Sequence, residues 1–210
     1  MSDWVAFDLD GTLTRRETLV YFLRMYLGER RALALLLRAS PMMLGYALGW
    51  RSNTEAKEFA LQHSLKGCHL EDLEPVAELF AREILPNLLR TPVLARMREH
   101  QRLGHRLVLV TATLELYARP WALAQGFEAV LGTRLELDAE QKLTGRLAGA
   151  NCWGPEKARR LRADLGITQL RYAYGNSRGD REMLAQAVHP ICIHRANDYG
   201  RLLTPLAVLD

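Results

Sequence analysis

Val5-Ala6-Phe7-Asp8-Leu9-Asp10-Gly11-Thr12-Leu13-Thr14 joins a short apolar run to two carboxylates and a glycine-containing turn. A β-strand alternates faces with period two, so Asp8 and Asp10 point the same way if the strand continues. Gly11 relaxes the backbone after the second carboxylate and lets the pair converge on one small volume. Two anionic groups at one strand end repel each other unless a cation lies between them. A hard ion such as Mg²⁺ suits that role, since it prefers carboxylates, carbonyls and water. Asp and Gly are also ordinary turn formers, but a strand running straight into D-x-D-G-T-L-T is far more specific than an acidic loop.

Outward from this stretch the pattern becomes helical. Glu17 to Leu27 carries Leu19, Phe22, Leu23, Tyr26 and Leu27 on one face, and Gly28 is a natural stop. Ala32 to Trp50 is apolar on all sides, interrupted by Arg38 and the Ser40-Pro41 pair and flanked by Arg30, Arg31 and Arg51. It approaches the length of a membrane span, but the proline, the arginine and the glycines argue against a simple one. The expectation is two short helices bent at Pro41, packed as a hairpin in a cap core or laid partly into a membrane surface. A helix capped by Asn53 or Thr54 runs to about Leu65, and another spans Glu71 to Arg82. Residues 15–87 therefore read as an all-helical unit inserted after the first strand, between core segments 1–14 and 88–210.

Beyond Pro92, strands and helices alternate. Pro92 to Leu103 is an amphipathic helix, and Arg106 to Val110 is a near-continuous apolar strand of the kind buried on both faces of a parallel sheet. Helical turns follow to Gly126, re-entered at Pro120, and then a short strand around Ala129-Val130-Leu131. Residues 133–137 and 142–147 alternate with period two around a polar turn, as in a hairpin. Pro155 to Leu165 is a helix with proline in its first turn and Gly166 after its end. Leu170 to Tyr174 is a strand, Asp180 to Ala187 a helix and Ile191 to Ile193 a strand. Repeated units of this kind predict an α/β doubly wound parallel sheet with its site at the carboxyl ends of the strands.

Composition limits the function classes. With 210 residues, 49% hydrophobic and 25% charged, the chain is long enough for a full core and a smaller appended unit. A net charge of +4 favours anionic ligands or anionic membrane surfaces. The arginines are interspersed with acids, as in Arg159-Arg160-Leu161-Arg162-Ala163-Asp164, and no aromatic-interleaved basic patch argues for nucleic acid. Three scattered cysteines form no disulfide framework, and six histidines form no metal-ligand spacing. With no signal-peptide pattern at the start, the expected location is cytoplasmic, with the option of a peripheral seat at the inner face of the membrane.

Three further segments carry chemistry. Thr111-Ala112-Thr113 places a hydroxyl after the strand ending at Val110. Lys157 lies in the first turn of its helix, where the helix dipole mildly disfavours a cation. Tyr174-Gly175-Asn176-Ser177-Arg178-Gly179-Asp180 follows the next strand.

D-L-D-G-T-L-T resembles the nucleophile motif of the haloacid dehalogenase (HAD) superfamily of phosphohydrolases. Thr111, Lys157 and the Asn176 to Asp180 segment resemble its second, third and fourth motifs, in the right order. The position and helical character of residues 15–87 resemble the subgroup with a helical cap inserted after the first motif, as in phosphoserine phosphatase. The resemblance implies that Asp8 is a nucleophile forming an aspartyl-phosphate and Asp10 a general acid and base. Thr111 would hydrogen-bond the phosphoryl group, and Lys157 would offset negative charge. It further implies phosphate contacts from Gly11, Thr12, Ala112 and Thr113, and a substrate contact from Glu17. A Mg²⁺ site would comprise Asp8, Asp10, Asn176 and Asp180, with Asp180 as ligand or orienter. The fourth motif usually begins with an aspartate; Asn176 supplies oxygen without charge, so weaker Mg²⁺ binding is expected.

No cap arginine stands near His63-Ser64-Leu65-Lys66-Gly67 to take a serine carboxylate. The apolar stretch and the fourth motif are similar to the HAD-type phosphatidylglycerophosphatase group. The expected substrate is thus a phosphorylated small molecule or a lipid head group. The alternatives are a soluble metabolite phosphatase of the phosphoserine type and a non-hydrolytic phospho-ligand or membrane-binding module.

Overall fold

The computed structural model describes residues 3–193. Its main sheet holds five strands, β1 (Trp4–Phe7), β2 (Arg106–Leu114), β3 (Ala129–Thr133), β6 (Leu170–Gly175) and β7 (Ala187–Cys192). They run in the order β3-β2-β1-β6-β7, every neighbour parallel. The chain builds outward from β1 on one side and later on the other, so the strand order reverses beside β1. Such a reversal leaves a crevice at the carboxyl ends of the central strands.

The period-two pattern sorts side chains onto two faces. Val5, Phe7, Leu107, Leu109, Tyr172 and Tyr174 join the larger core, whereas Ala6, Val108, Val110 and Ala173 join the smaller one. Both faces are buried, as the apolar runs require. The smaller core is closed by α7 (Pro155–Leu165) through Leu161. The larger is closed by α5 (Thr91–Arg102) and α6 (Glu115–Ala124), through Met97, Tyr117 and Trp121.

Between β1 and α5 lie α1 (Thr18–Leu27), α2 (Glu29–Ala47), α3 (Asn53–Gln62) and α4 (Leu70–Leu79). The outgoing and returning chains pass side by side: Arg15 N–H donates to Leu88 C=O at 2.8 Å and Arg90 N–H to Leu13 C=O at 2.7 Å. Phe22 of α1 and Phe80, just after α4, pack against Tyr117 in tilted and edge-on contacts with ring centroids 4.9 and 5.0 Å away. The inserted helices thus share the larger core with the sheet. The hairpin β4 (Leu135–Leu137) and β5 (Leu143–Leu147) stands apart from the main sheet and packs on α3.

Several sequence expectations are corrected. Helix α2 is a single element across Pro41, not two bent at it. Proline lacks the N–H that would reach the Leu37 carbonyl, and the Ser40 hydroxyl donates to that carbonyl instead, at 2.8 Å. Helix α3 is capped by Ser52, not by Asn53 or Thr54, in a reciprocal box with Glu55, and it ends at Gln62. Strand β2 continues to Leu114, so Thr111 to Thr113 belong to the strand itself, with a register shift after Val110. One helix, α6, follows directly and contains Pro120. The helix expected over Asp180 to Ala187 is only α8 (Arg181–Leu184), and β7 begins at Ala187. Pro190 is accommodated because, among the described residues, β7 has no strand on its outer side.

Candidate active site

The reversal point collects the chemistry. Asp8 follows the last residue of β1, its N–H held by Tyr174 C=O of β6 at 3.0 Å. Leu9–Leu13 then form one wide turn, closed by Thr14 N–H donating to Leu9 C=O at 2.9 Å. Gly11 sits in this turn at φ +77°, and a Cβ there would collide with the Asn176 amide. Glycine is therefore required twice, by its backbone angle and by the close approach of the loop after β6.

That loop is shaped by Asp180. One carboxylate oxygen accepts from the N–H of Asn176 at 3.0 Å, the N–H of Ser177 at 2.9 Å and the Ser177 hydroxyl at 3.0 Å. Its other oxygen accepts from Lys157 Nζ at 2.6 Å. The same ammonium donates to Asp8 Oδ1 at 2.7 Å, so the buried lysine bridges the first and fourth segments. The Thr12 hydroxyl lies 3.0 Å from Asp8 Oδ2 and 3.2 Å from Asn176 Oδ1. These two oxygens converge on a single hydroxyl proton.

Asp10 is held differently. Its Oδ1 accepts from Thr18 N–H at 2.9 Å and its Oδ2 from the Thr113 hydroxyl. The buried Thr111 hydroxyl accepts from Thr113 N–H at 3.1 Å and lines the same cavity. Glu17, Ala112 and Asn176 also line it. All the sequence-predicted site residues lie at or beside this one cavity.

Sequence reasoning missed Lys57. It lies on α3, outside every motif, and reaches the strand ends, donating to Ala112 C=O and to Asn151 Oδ1, the latter at 2.9 Å. One turn earlier on α3, Asn53 accepts from Asn151 Nδ2 at 2.7 Å. No local pattern marks such residues, because their role depends on how α3 docks. A polar pair one helical turn apart was the available signal.

The carboxylates are crowded. Burial pushes Asp8 up to about 7 against the pull of Lys157, with Asp180 and Asp10 adding to the rise. Burial also raises Asp10, opposed by its hydrogen bonds from Thr113 and Thr18. Glu17 is exposed to the cleft, yet desolvation and the neighbouring Asp10 and Asp8 push it up to about 7. Burial opposes the Lys157 charge, but Asp8 and Asp180 outweigh it and hold its pKa above the ordinary lysine value. Asp180 stays below the usual carboxylate range, because Lys157 and the loop donors overcome its burial. Burial lowers Lys57 to about 8 despite Asp10 and Glu17.

Four carboxylates thus face two ammonium groups, and an additional cation would relieve the excess. The donors are all oxygen, the set a hard divalent ion prefers. Among the described residues no cluster of three or more His, Cys, Asp or Glu side chains forms a ready-made metal centre. The converging oxygens are those of Asp8 and the Asn176 amide. The cavity is about 150 Å³. A larger cleft of about 520 Å³ between α4, α6 and β4 shares none of its lining residues.

Residues 5–185 match the family described as haloacid dehalogenase-like hydrolase. Protein CicA of Caulobacter vibrioides is 37% identical over 184 residues, 87% of this chain and 82% of that protein. A protein of unknown function from Bordetella pertussis Tohama I superposes with a TM-score of 0.71 at 24% identity, covering 91% of this chain and 90% of that one. A phosphoserine phosphohydrolase-like protein from Francisella tularensis gives 0.68 at 17% identity over 100% and 99% of the two chains. A substrate-bound phosphoserine phosphatase gives 0.62 at 16% identity, covering 89% and 83%. These structural likenesses share the fold: a parallel sheet flanked by helices. With 181 consecutive residues matched, the chain belongs to the haloacid dehalogenase-like hydrolases.

Proposed function

We propose that the protein is a Mg²⁺-dependent phosphomonoester phosphatase working through an aspartyl-phosphate on Asp8. One observation carries this reading: Lys157 spans Asp8 and Asp180 at hydrogen-bond distance, with Asp10 separately oriented beside them. The lysine keeps a buried carboxylate ready beside an incoming dianion. Asp8 attacks phosphorus, the ester oxygen departs, and one difficult displacement becomes two easier ones. Asp10, whose pKa is raised, gives its proton to the leaving oxygen and then takes one from the water that releases phosphate. Thr12, Thr111 and Lys157 offer donors to the phosphoryl oxygens.

Mg²⁺ would be held by Asp8, the Asp10 main-chain carbonyl and Asn176, and when bound it supplies charge screening between nucleophile and phosphate. Asp180 acts as orienter, since both its oxygens are occupied by Lys157 and the loop.

A lipid phosphate, such as phosphatidylglycerophosphate, is favoured as substrate. The cavity lies below the roughly 300 Å³ at which ligand clefts usually begin, enough for a phosphate and a small head group but not for acyl chains. Among the described residues its lining contains no arginine. A second reading, a soluble metabolite phosphatase of the phosphoserine type, is supported by Glu17 and Lys57. They offer one anion and one cation at the same cavity, the complement of an amino acid.

A phosphate-release screen with Mg²⁺ tests this, using lipid phosphates beside phosphoserine and sugar phosphates, with Asp8→Asn as control. Release that needs Mg²⁺ and disappears in Asp8→Asn is expected. No release from any ester, or undiminished release by Asp8→Asn, overturns the phosphatase. The preferred ester decides between the two substrate readings.

A further inference from the structure

Helix α2 has two apolar faces. Ala32, Leu35 and Ala39 are buried against the protein. Leu33, Leu37, Met43, Leu44, Leu48 and Trp50 are exposed, Leu37 by 67% and Trp50 by 79%. Spacings of four, seven and four between Leu33, Leu37, Leu44 and Leu48 place them on one side of a helix, a stripe of roughly 16 Å from Leu33 to Leu44. Most of the exposed large hydrophobic side chains of the described residues lie in this one segment. A contiguous apolar surface of this kind marks an interaction site.

The charges beside the stripe choose its occupant. Arg24 and Arg51 are paired with Glu29 and Glu55. Arg30, Arg31 and Arg38 are exposed and have no acidic partner among the described residues. Helix leucines, a tryptophan in the turn that follows, and bordering arginines without a described acidic partner are the composition of a helix lying in a lipid interface. A second copy of the chain fits poorly, because the acid that α2 itself carries, Glu29, is already paired with Arg24, leaving nothing on the opposing stripe to receive three arginines. No described helix is long and apolar enough to cross a membrane.

We propose that the outer face of α2 docks the protein onto an anionic lipid bilayer, with Leu37 and Leu44 in the acyl boundary and Arg30, Arg31 and Arg38 among the head groups. Tyr46 of the same helix lines the catalytic cavity. Docking would bring that cavity beside the surface where a head-group phosphate is presented. The inference deepens the lipid-phosphatase reading and rests on it only for its purpose; the docking itself needs no turnover.

The test is sedimentation of the whole protein with equimolar phosphatidylglycerol and phosphatidylcholine vesicles, and with phosphatidylcholine alone. Hydrolysis of a water-soluble phosphate ester is measured in parallel. Binding to the anionic vesicles that weakens with salt is expected. The Leu37→Glu/Leu44→Glu variant should bind at least about tenfold more weakly while soluble-ester hydrolysis is retained. Failure of the wild type to bind, or equal binding by the variant, overturns the proposal. So does a solution dimer, seen by light scattering, that the same substitutions dissociate. Absence of soluble-ester hydrolysis beside intact vesicle binding would sink the phosphatase and leave the docking standing.

Discussion

The strand ends and the outer face of α2 solve opposite problems. At the strand ends, charges are withdrawn from water and each is assigned to particular donors: Asp180 to Lys157 and two loop amides, Asp10 to Thr18 and Thr113. On α2, leucines remain in water beside arginines that have no acidic partner among the described residues. Buried charge is tolerated only where geometry over-determines it. Single exposed apolar side chains, such as Leu103 and Leu123, are ordinary, whereas a contiguous run of them marks an encounter surface. One region therefore breaks when a single partner is removed, whereas the other absorbs substitution and changes only what it binds.

The largest break is at Lys157. Lys157→Met leaves Asp8 and Asp180 buried without their shared cation, a loss of roughly 3–5 kcal/mol. Urea unfolding in a chelator should show it as a lower midpoint at unchanged slope. Adding Asp8→Asn should recover part of the loss, because one stranded charge is then gone. A single variant within about 1 kcal/mol of wild type, well below that range, would mean that the charges are not held as described.

Next comes Asn176. Replacing it by aspartate adds a charged oxygen where the amide now meets Thr12 beside Asp8. The Mg²⁺ concentration for half-maximal activity should fall on the order of tenfold, about 1.4 kcal/mol. In a chelator the same variant should be less stable than wild type, since it adds another carboxylate to an already crowded group. An unchanged or higher Mg²⁺ requirement removes Asn176 from the metal site.

Lys57 gives a pH signature. Burial lowers its pKa to about 8, so the ammonium loses its proton as pH rises through that value. If it binds the substrate's anion, KM should rise about tenfold per unit above pH 8. Lys57→Arg keeps its charge at any such pH and should flatten that limb. A KM profile identical in both proteins would reduce Lys57 to its contacts with Ala112 and Asn151.

What could be read from the sequence divides along the same line. The strand, its two aspartates, the lysine and the glycine-rich fourth segment are local patterns, and a parallel sheet sorts them to one end regardless of the intervening chain. Lys57 could not be read this way, because its reach to Ala112 exists only after α3 has docked. The end of β2 is hard to read locally because Thr111 and Thr113 combine strand-forming side chains with hydroxyls that also favour turns. Whether the apolar stretch of α2 is buried or exposed depends on which face meets α1 and α3. An all-round apolar pattern carries no such information.

Ser40 supplies the smallest and most discriminating effect. Its hydroxyl donates to the Leu37 carbonyl that Pro41 leaves without a backbone donor. In the native background, Ser40→Ala loses that bond, about 0.5–1.5 kcal/mol. It gains up to about 0.5 kcal/mol from the better helix propensity of alanine. A small net destabilisation is expected. In a Pro41→Ala background the backbone N–H of residue 41 returns to the carbonyl, so only the propensity gain remains and the same substitution should stabilise. The difference between the two backgrounds, about 1 kcal/mol in thermal or urea unfolding, measures the bond that carries α2 past its proline. Equal effects in both backgrounds would mean that the helix, and with it the continuity of its outward stripe, is held by packing alone.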